Sequence, residues 1–446
     1  MKSIRLTLIG CLLLIIVSMV TCKKQDVPAP ILIEKKAVVQ ELSTTTGETA
    51  VPASWYQLEL KLIKETSGFA PPVAARAIAY TGIALHEAVA TGNSLSGQLN
   101  GLRNVPKPDR WKRYNWAIAA NSAMAQIIRS LFPNASVINQ QLITQLESDN
   151  LQLYADTCHP DVVNRSVSFG RQIATAIHQW SVTDGGKDGY LNNFPTDYVP
   201  PVGAGLWVPT PPAFQRAMLP YWGSNRAIVK PAVPDVPNIP PPVFSTATSS
   251  AFYQASLVVY LKGTTQTPEE NLIARYWADG GGTFTPPGHL IAIAVQLASE
   301  EHLSLTSAAK LFAQVGISLN DAGILCWKYK YRYNVLRPVT YIRSYIDSSW
   351  TPTIGTPPFP AYTSGHATFT AAVGGVLKAR FGNNFSFTDQ QKVAEGFAPR
   401  SFNNFTSMIN EAAISRIYGG IHYEFDSEIG KQTGGDITRR VLALRY

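Results

Sequence analysis

Apolar residues recur at helical spacing through most of this 446-residue chain. The segments PPVAARAIAYTGIALHEAVA and GHLIAIAVQLASEEH carry them three and four positions apart, the repeat that lines one face of an α-helix. The same period runs through SWYQLELKLIKE, RYNWAIAANSAMAQIIRSLF, VINQQLITQLESDNLQLYAD and VVNRSVSFGRQIATAIHQWSV in the first half. It returns in TPEENLIARYWADG, LTSAAKLFAQVGISLNDAGILCWKYKYRYN and SGHATFTAAVGGVLKARF in the second. Few segments alternate as strands do. The pattern predicts an all-α protein of two helical bundles. Two stretches break it, DGGKDGYLNNFPTDYVPPVGAGLWVPTPPAF and PAVPDVPNIPPPVF. The first is rich in Gly, Pro and aromatic residues, so packing rather than secondary structure is expected to order it.

The N-terminus departs from this pattern. MKSIR is basic, LTLIGCLLLIIVSMV is an apolar run too short for a comfortable span, and Cys22 follows before KKQD. This resembles a bacterial lipoprotein signal, with an ordinary cleaved signal peptide as the other reading. The division expected is a signal over 1–22, a tether over 23–54, a helical lobe over 55–240 and a second over 241–446. The resemblance implies an exported, lipid-anchored protein held at the membrane through Cys22, in the periplasm or at the outer membrane and cell surface.

Composition narrows the function. Of four cysteines, Cys11 lies inside the signal and Cys22 at its end. The two that remain, Cys158 and Cys326, make neither a disulfide scaffold nor a thiolate metal cluster; they either pair or stay as free thiols. The net charge is +8, yet no run of Lys and Arg forms a nucleic-acid patch. A basic excess gathered into one pocket suits an anion.

Three segments supply such a pocket. In KYRYNVLRPV, Lys330 and Arg337 stand seven apart, about two turns along one helix face, with Pro338 ending the helix. On this segment alone a solvated basic face is the simpler reading, weakened by the apolar surroundings of Trp327, Tyr329, Tyr331, Tyr333, Val335 and Leu336. In PPFPAYTSGHATF, Thr363 or Ser364 is the natural N-cap, Gly365 admits close backbone approach, and His366 stands in the first turn. An ordinary cap would look the same. In SRIYGGIHYEFD, Arg416 closes a helix, Gly419-Gly420 ends it, His422 starts the next, and Asp426 lies one turn on, where a carboxylate fixes the tautomer of the ring. A structural His–Asp pair remains open on that stretch alone. Taken together, the three clusters fit a tetrahedral or trigonal-bipyramidal oxyanion.

In this order and spacing the three segments match the signatures of the superfamily of type 2 phosphatidic acid phosphatases and vanadium haloperoxidases. Thr363 stands where many members have proline. WKYKYRYNVLRPV, PPVAARAIAYTGIALHEAV and YWADGGGTFTPPGH further resemble the soluble vanadium-dependent haloperoxidases. The resemblance implies a pair of helical bundles with the anion site in the C-terminal one. It implies vanadate, replaceable by phosphate, with His422 as the axial ligand and His366 as the acid–base residue. Lys330, Arg337, Ser364, the Gly365 amide and Arg416 would bind the equatorial oxygens. Asp426 would orient His422, Trp327 and Phe359 would line the halide side, and Asp279 would pair with a pocket arginine. The implied reaction is oxidation of halide, iodide or bromide first, by hydrogen peroxide, with small organic acceptors. The alternative on the same residues is a soluble acid phosphatase working through a phosphohistidine; a third reading is a surface lipoprotein that only binds phosphate.

Overall fold

The computed structural model describes residues 49–90, 92–230 and 239–446. The signal, Cys22 and the tether up to residue 48 lie outside the described residues. Among the described residues, thirteen α-helices and one two-stranded sheet form. The first half contains α1 (Ala50–Glu65), α2 (Pro71–Val89), α3 (Trp116–Leu131), α4 (Val137–Ala155) and α5 (Pro160–Ser181). The second contains α6 (Ala251–Thr264), α7 (Pro268–Tyr276), α8 (Thr285–Glu300), α9 (Leu305–Tyr333), α10 (Pro338–Tyr345) and α11 (Gly365–Phe381). It continues with strands β1 (Phe387–Asp389) and β2 (Arg400–Phe402), then α12 (Phe405–Tyr418) and α13 (Glu424–Leu442). No helix among the described residues is long and apolar enough to cross a membrane.

Local chemistry explains most of the helix starts. Asn115, Ser136, Ser250, Thr267, Ser304, Ser364 and Asn404 cap their helices with a side-chain oxygen. Each such cap contributes about 1 kcal/mol. Pro71-Pro72 opens α2, where the missing N–H costs nothing. Two features escape a periodicity reading. The helix α6 carries apolar residues round its circumference, with Val258 and Leu261 exposed, so no single face stands out. The β1–β2 pair is only three residues a side, in antiparallel register Phe387 to Phe402. The folded body also starts earlier than Trp55: α1 begins at Ala50, and Val51 and Ala53 are already core residues.

The two halves share one apolar core, which runs from Trp55, Ile78 and Leu85 through Phe312 and Leu319 to Phe369 and Val376. At its centre α2 of the first half packs along α9 of the second. Gly82 and Gly316 permit this approach. A Cβ at Gly82 would come within 2.7 Å of the Phe312 carbonyl oxygen, and one at Gly316 within 2.8 Å of the Ala79 Cα. The long Gly/Pro-rich loop is ordered by packing, as expected: Trp207 is buried and its amide donates to the Asn334 carbonyl at 2.6 Å. Elsewhere, α11 packs on α13, and the Ser364 amide donates to the Asp426 carbonyl at 3.0 Å. That contact brings two helix N-termini together at the site.

Candidate active site

The three segments converge, though not by the geometry their spacing predicted. Lys330 and Arg337 do not share a helix face. α9 ends at Tyr333 because Asn334 takes the left-handed conformation, φ 46°, which asparagine tolerates. Arg337 is the extended N-cap residue of α10, with Pro338 as its first helical residue, so Pro338 starts a helix rather than ending one. Lys330 is fully buried, and its ammonium donates to the Pro360, Ala361 and Thr363 carbonyls at 2.9, 3.1 and 2.5 Å. Its three hydrogens are thus taken by the turn that leads into Ser364. Lys330 contributes charge and holds that turn, where an oxygen donor was expected. Arg337 donates through Nε to Phe359 O at 2.7 Å and through Nη1 to Ile421 O at 2.7 Å; Nη1 also lies 3.2 Å from His422 Nε2. Its Nη2 is buried with no partner.

Ser364 caps α11, accepting from the Ala367 amide at 3.4 Å. Gly365 lines the cavity, and an added Cβ there would meet only the Phe369 and Trp327 rings, at 3.8 and 3.9 Å. Packing therefore leaves room at this backbone. His366 follows in the first turn, half-buried on the cavity wall, with its Nε2 atom covered and unpartnered.

SRIYGGIHYEFD folds as a Schellman turn. α12 ends at Tyr418; the Gly420 amide donates to Ile417 O at 2.9 Å and the Ile421 amide to Arg416 O at 3.1 Å. Gly420 has φ 76°, and a Cβ there would strike Trp350 and Pro352 at 2.9 and 3.0 Å. The glycine pair was expected to end this helix and does. His422, expected at the start of the next helix, sits two residues before α13, in the connection itself. Its Nδ1 lies 2.9 Å from Asp426 Oδ2, which also accepts the Tyr423 amide at 3.1 Å. That bond puts the ring proton on Nδ1 and leaves Nε2 as an acceptor, which faces Arg337 Nη1 at 3.2 Å. Arg416 donates through Nη1 to the Trp277 carbonyl at 2.7 Å, and its Nε has no partner.

Of these groups, some line a cavity of about 690 Å³, while Lys330, Arg337, Ser364 and Asp426 are not among its lining residues. His366, Arg416, His422, Gly365, Trp327, Phe359 and Asp279 all line it. The Trp327 and Phe359 rings lie 4.9 Å apart, and the Arg337 guanidinium sits 4.9 Å over the Phe359 ring. The charges do not balance. Three buried cations, Lys330, Arg337 and Arg416, have one carboxylate of their own, Asp426. Burial pushes Arg337 down to about 10 and Arg416 to about 9, and it lowers the Lys330 ammonium. Burial, then Arg337, Lys330 and Arg416, hold the His422 imidazole well below its ordinary value; burial and then Arg416 do the same to His366. Burial pushes the Asp426 carboxyl up, against the pull of Lys330. The unpaired donors on Arg337 and Arg416, the unpartnered His366 Nε2 and an excess of two positive charges together fit an oxyanion dianion.

Asp279 does not hydrogen-bond a pocket arginine. Its partners are His289 Nδ1 at 3.0 Å and Lys392 Nζ at 2.7 Å; Arg416 feels it only through space. His289 Nε2 in turn lies 2.8 Å from Asp389 Oδ2, and Trp277 stacks on the ring at 5.0 Å. Sequence reasoning assigned no role to His289, Asp389 or Lys392, although TPPGH was in view. Cys158 and Cys326 are both free, the first half-buried and the second buried.

A family model for the second helical-bundle domain of VCPO matches residues 310–445. The vanadium chloroperoxidase of Curvularia inaequalis is 28% identical over 259 residues, 42% of this chain and 42% of that protein. The aligned region thus spans less than half of that curated relative. A crystal structure described as the first bacterial vanadium-dependent iodoperoxidase matches with a TM-score of 0.81 and 33% identity, over 89% of this chain and 97% of the other. Holo-type bacterial vanadium-dependent chloroperoxidase shares the fold, with a TM-score of 0.64 at 15% identity over 84% and 92% of the two chains. With these signatures, this cavity and that 33% match across nearly a whole solved chain, the protein belongs to the vanadium-dependent haloperoxidase family.

Proposed function

We propose that this protein is a vanadate-dependent haloperoxidase that uses hydrogen peroxide to oxidise halide, iodide first. The observation that carries the reading is the unbalanced anion cavity, whose buried Arg337 Nη2, Arg416 Nε and His366 Nε2 lack partners within the protein. Bound vanadate supplies the two-electron activation of peroxide. The chain's own residues do the rest. Asp426 keeps the His422 proton on Nδ1, so Nε2 would be the nitrogen that holds vanadate. Arg337 and Arg416 neutralise oxygens with fixed guanidinium donors. Ser364 and the Gly365 amide stand at the α11 N-terminus, where the helix dipole favours negative charge. His366, half-buried on the cavity wall and held below its ordinary pKa, would take or give a proton at Nε2. Trp327 and Phe359 give the halide an apolar approach. Iodide leads because the relative that is 33% identical along 97% of its length is described as an iodoperoxidase.

Vanadate and phosphate share geometry, so the test is paired. The purified chain is loaded with vanadate and supplied with peroxide and iodide or bromide, while a parallel sample without vanadate receives a phosphate monoester. Halide oxidation dependent on both vanadate and peroxide is expected. Monoester turnover without halide oxidation would replace this reading with a phosphatase acting through His422. We further propose export and lipid anchoring at Cys22, supported by the basic start, apolar run and following polar residues. The full chain should then partition into detergent from cells and its Cys22→Ser variant should not; equal partition would overturn this.

A further inference from the structure

The cavity is far larger than an oxyanion, a peroxide and a halide need, and one half-buried methionine lines it. Among the described residues, Met218 supplies the one sulfur on its wall. The other described methionines, Met124 and Met408, are fully buried in the core. Cys326 is buried off the cavity with its thiol on the Thr363 carbonyl, and Cys158 lies elsewhere, beside Asn115.

The placement of Met218 is built rather than incidental. Its amide donates to the Pro358 carbonyl at 2.9 Å, one residue before Phe359. Its own carbonyl accepts from Trp327 Nε1 at 3.2 Å and from the Tyr331 hydroxyl at 2.6 Å. The residue is therefore fastened to Trp327, to Tyr331 and to the residue before Phe359, and it is only half-buried. An oxidised halogen species leaving the anion end crosses a space that Met218 borders.

We propose that Met218 is converted to its sulfoxide by the protein's own hypohalous product during turnover. This rests on the haloperoxidase reading above. The step balances without a further reagent: the thioether sulfur gives up two electrons, the halogen of the hypohalous acid takes them and leaves as halide, the oxygen stays on sulfur, and one proton is released. Thioethers are soft nucleophiles that oxidise readily, and the product is polar where the side chain was apolar. A sulfoxide beside Trp327 puts a hydrogen-bond acceptor on the halide approach, so each turnover carries a chance of changing the pocket that performed it.

The test uses the vanadate-loaded chain, hydrogen peroxide and iodide, with triiodide followed optically and peptides then read by mass spectrometry. The Met218 peptide should gain one oxygen, about 16 Da, at least about tenfold more than the Met124 and Met408 peptides. Peroxide without iodide should leave it unmodified. The same total triiodide added from outside should modify it less per oxidant than turnover does. Met218→Leu should melt as the parent does, and its progress curve should hold its own initial rate for longer. Met218 staying reduced while triiodide accumulates overturns the proposal, as does equal oxidation of the three methionines or equal yield from added triiodide. Failure to form triiodide at all defeats the haloperoxidase reading instead, and this inference falls with it.

Discussion

Two buried charge clusters adjoin in this protein, made from the same residue types with opposite bookkeeping. In one, buried His289 and Lys392 face the two buried carboxylates Asp279 and Asp389, with the partly exposed Glu395 also on Lys392. In the other, Lys330, Arg337 and Arg416 face Asp426 alone. The titration shifts run in opposite directions. Despite the burial that opposes it, Asp279 and then Asp389 push His289 up to about 10. Burial without matching charge draws Arg416 down to about 9. A protein can bury ions stably when they are paired and hydrogen-bonded. Where it leaves cations short of partners, with guanidinium nitrogens unbonded, the missing partner is a ligand.

The largest expected effect comes from removing the anion's nitrogen ligand. His422→Ala should abolish vanadium retention, measured by elemental analysis after gel filtration, and lower halide oxidation by about 10³-fold or more. A variant that keeps full vanadium content would take His422 out of its assigned role. The balanced cluster should respond through stability instead. His289→Leu leaves two carboxylates against Lys392 and should cost about 3–5 kcal/mol in chemical unfolding. The protein that remains folded should still hold the anion; equal loss of both properties would erase the distinction between the clusters.

The pH dependence sharpens it. His289 is raised from an unfolded value of about 6.5, so its contribution is complete below that and is lost as pH rises through about 10. Asp279 and Asp389 are held below the ordinary carboxylate value by His289, so their contribution is present above about 4 and is lost as pH falls. The melting temperature of the parent should therefore be highest between these limits, and the His289→Leu profile should be flatter on the alkaline side. A smaller effect follows from filling the unbalanced cluster. Phosphate at about 100 times its Kd should stabilise the parent by about 2.7 kcal/mol. The gain should be smaller in Arg416→Met, which removes one of the unbonded guanidinium donors. The smallest is Gly420→Ala, about 1 kcal/mol from the left-handed φ, with added crowding at Trp350.

The same contrast explains what the sequence disclosed. Arg416, His422 and Asp426 lie within eleven residues, and Ser364, Gly365 and His366 are consecutive, so the chemistry leaves a local pattern. The balanced cluster leaves none: His289 meets Asp279 ten residues away and Asp389 one hundred away, and only the folded chain joins them. Helical periodicity located the long helices for the same reason, since each repeats its signal over many turns. It failed at the end of α9, because asparagine is acceptable both within a helix and in the left-handed turn that Asn334 makes. Seven residues of spacing then suggested one helix face for Lys330 and Arg337, although the chain turns between them.

The Schellman turn at Gly419-Gly420 has a consequence for supply. Because main-chain bonds fix where Arg416 and His422 stand, vanadate and phosphate would, on the proposed reading, compete for the same preset place without reshaping it. The active fraction of such a population is then a ratio set by its surroundings: how much vanadate reaches it, against how much phosphate is already there.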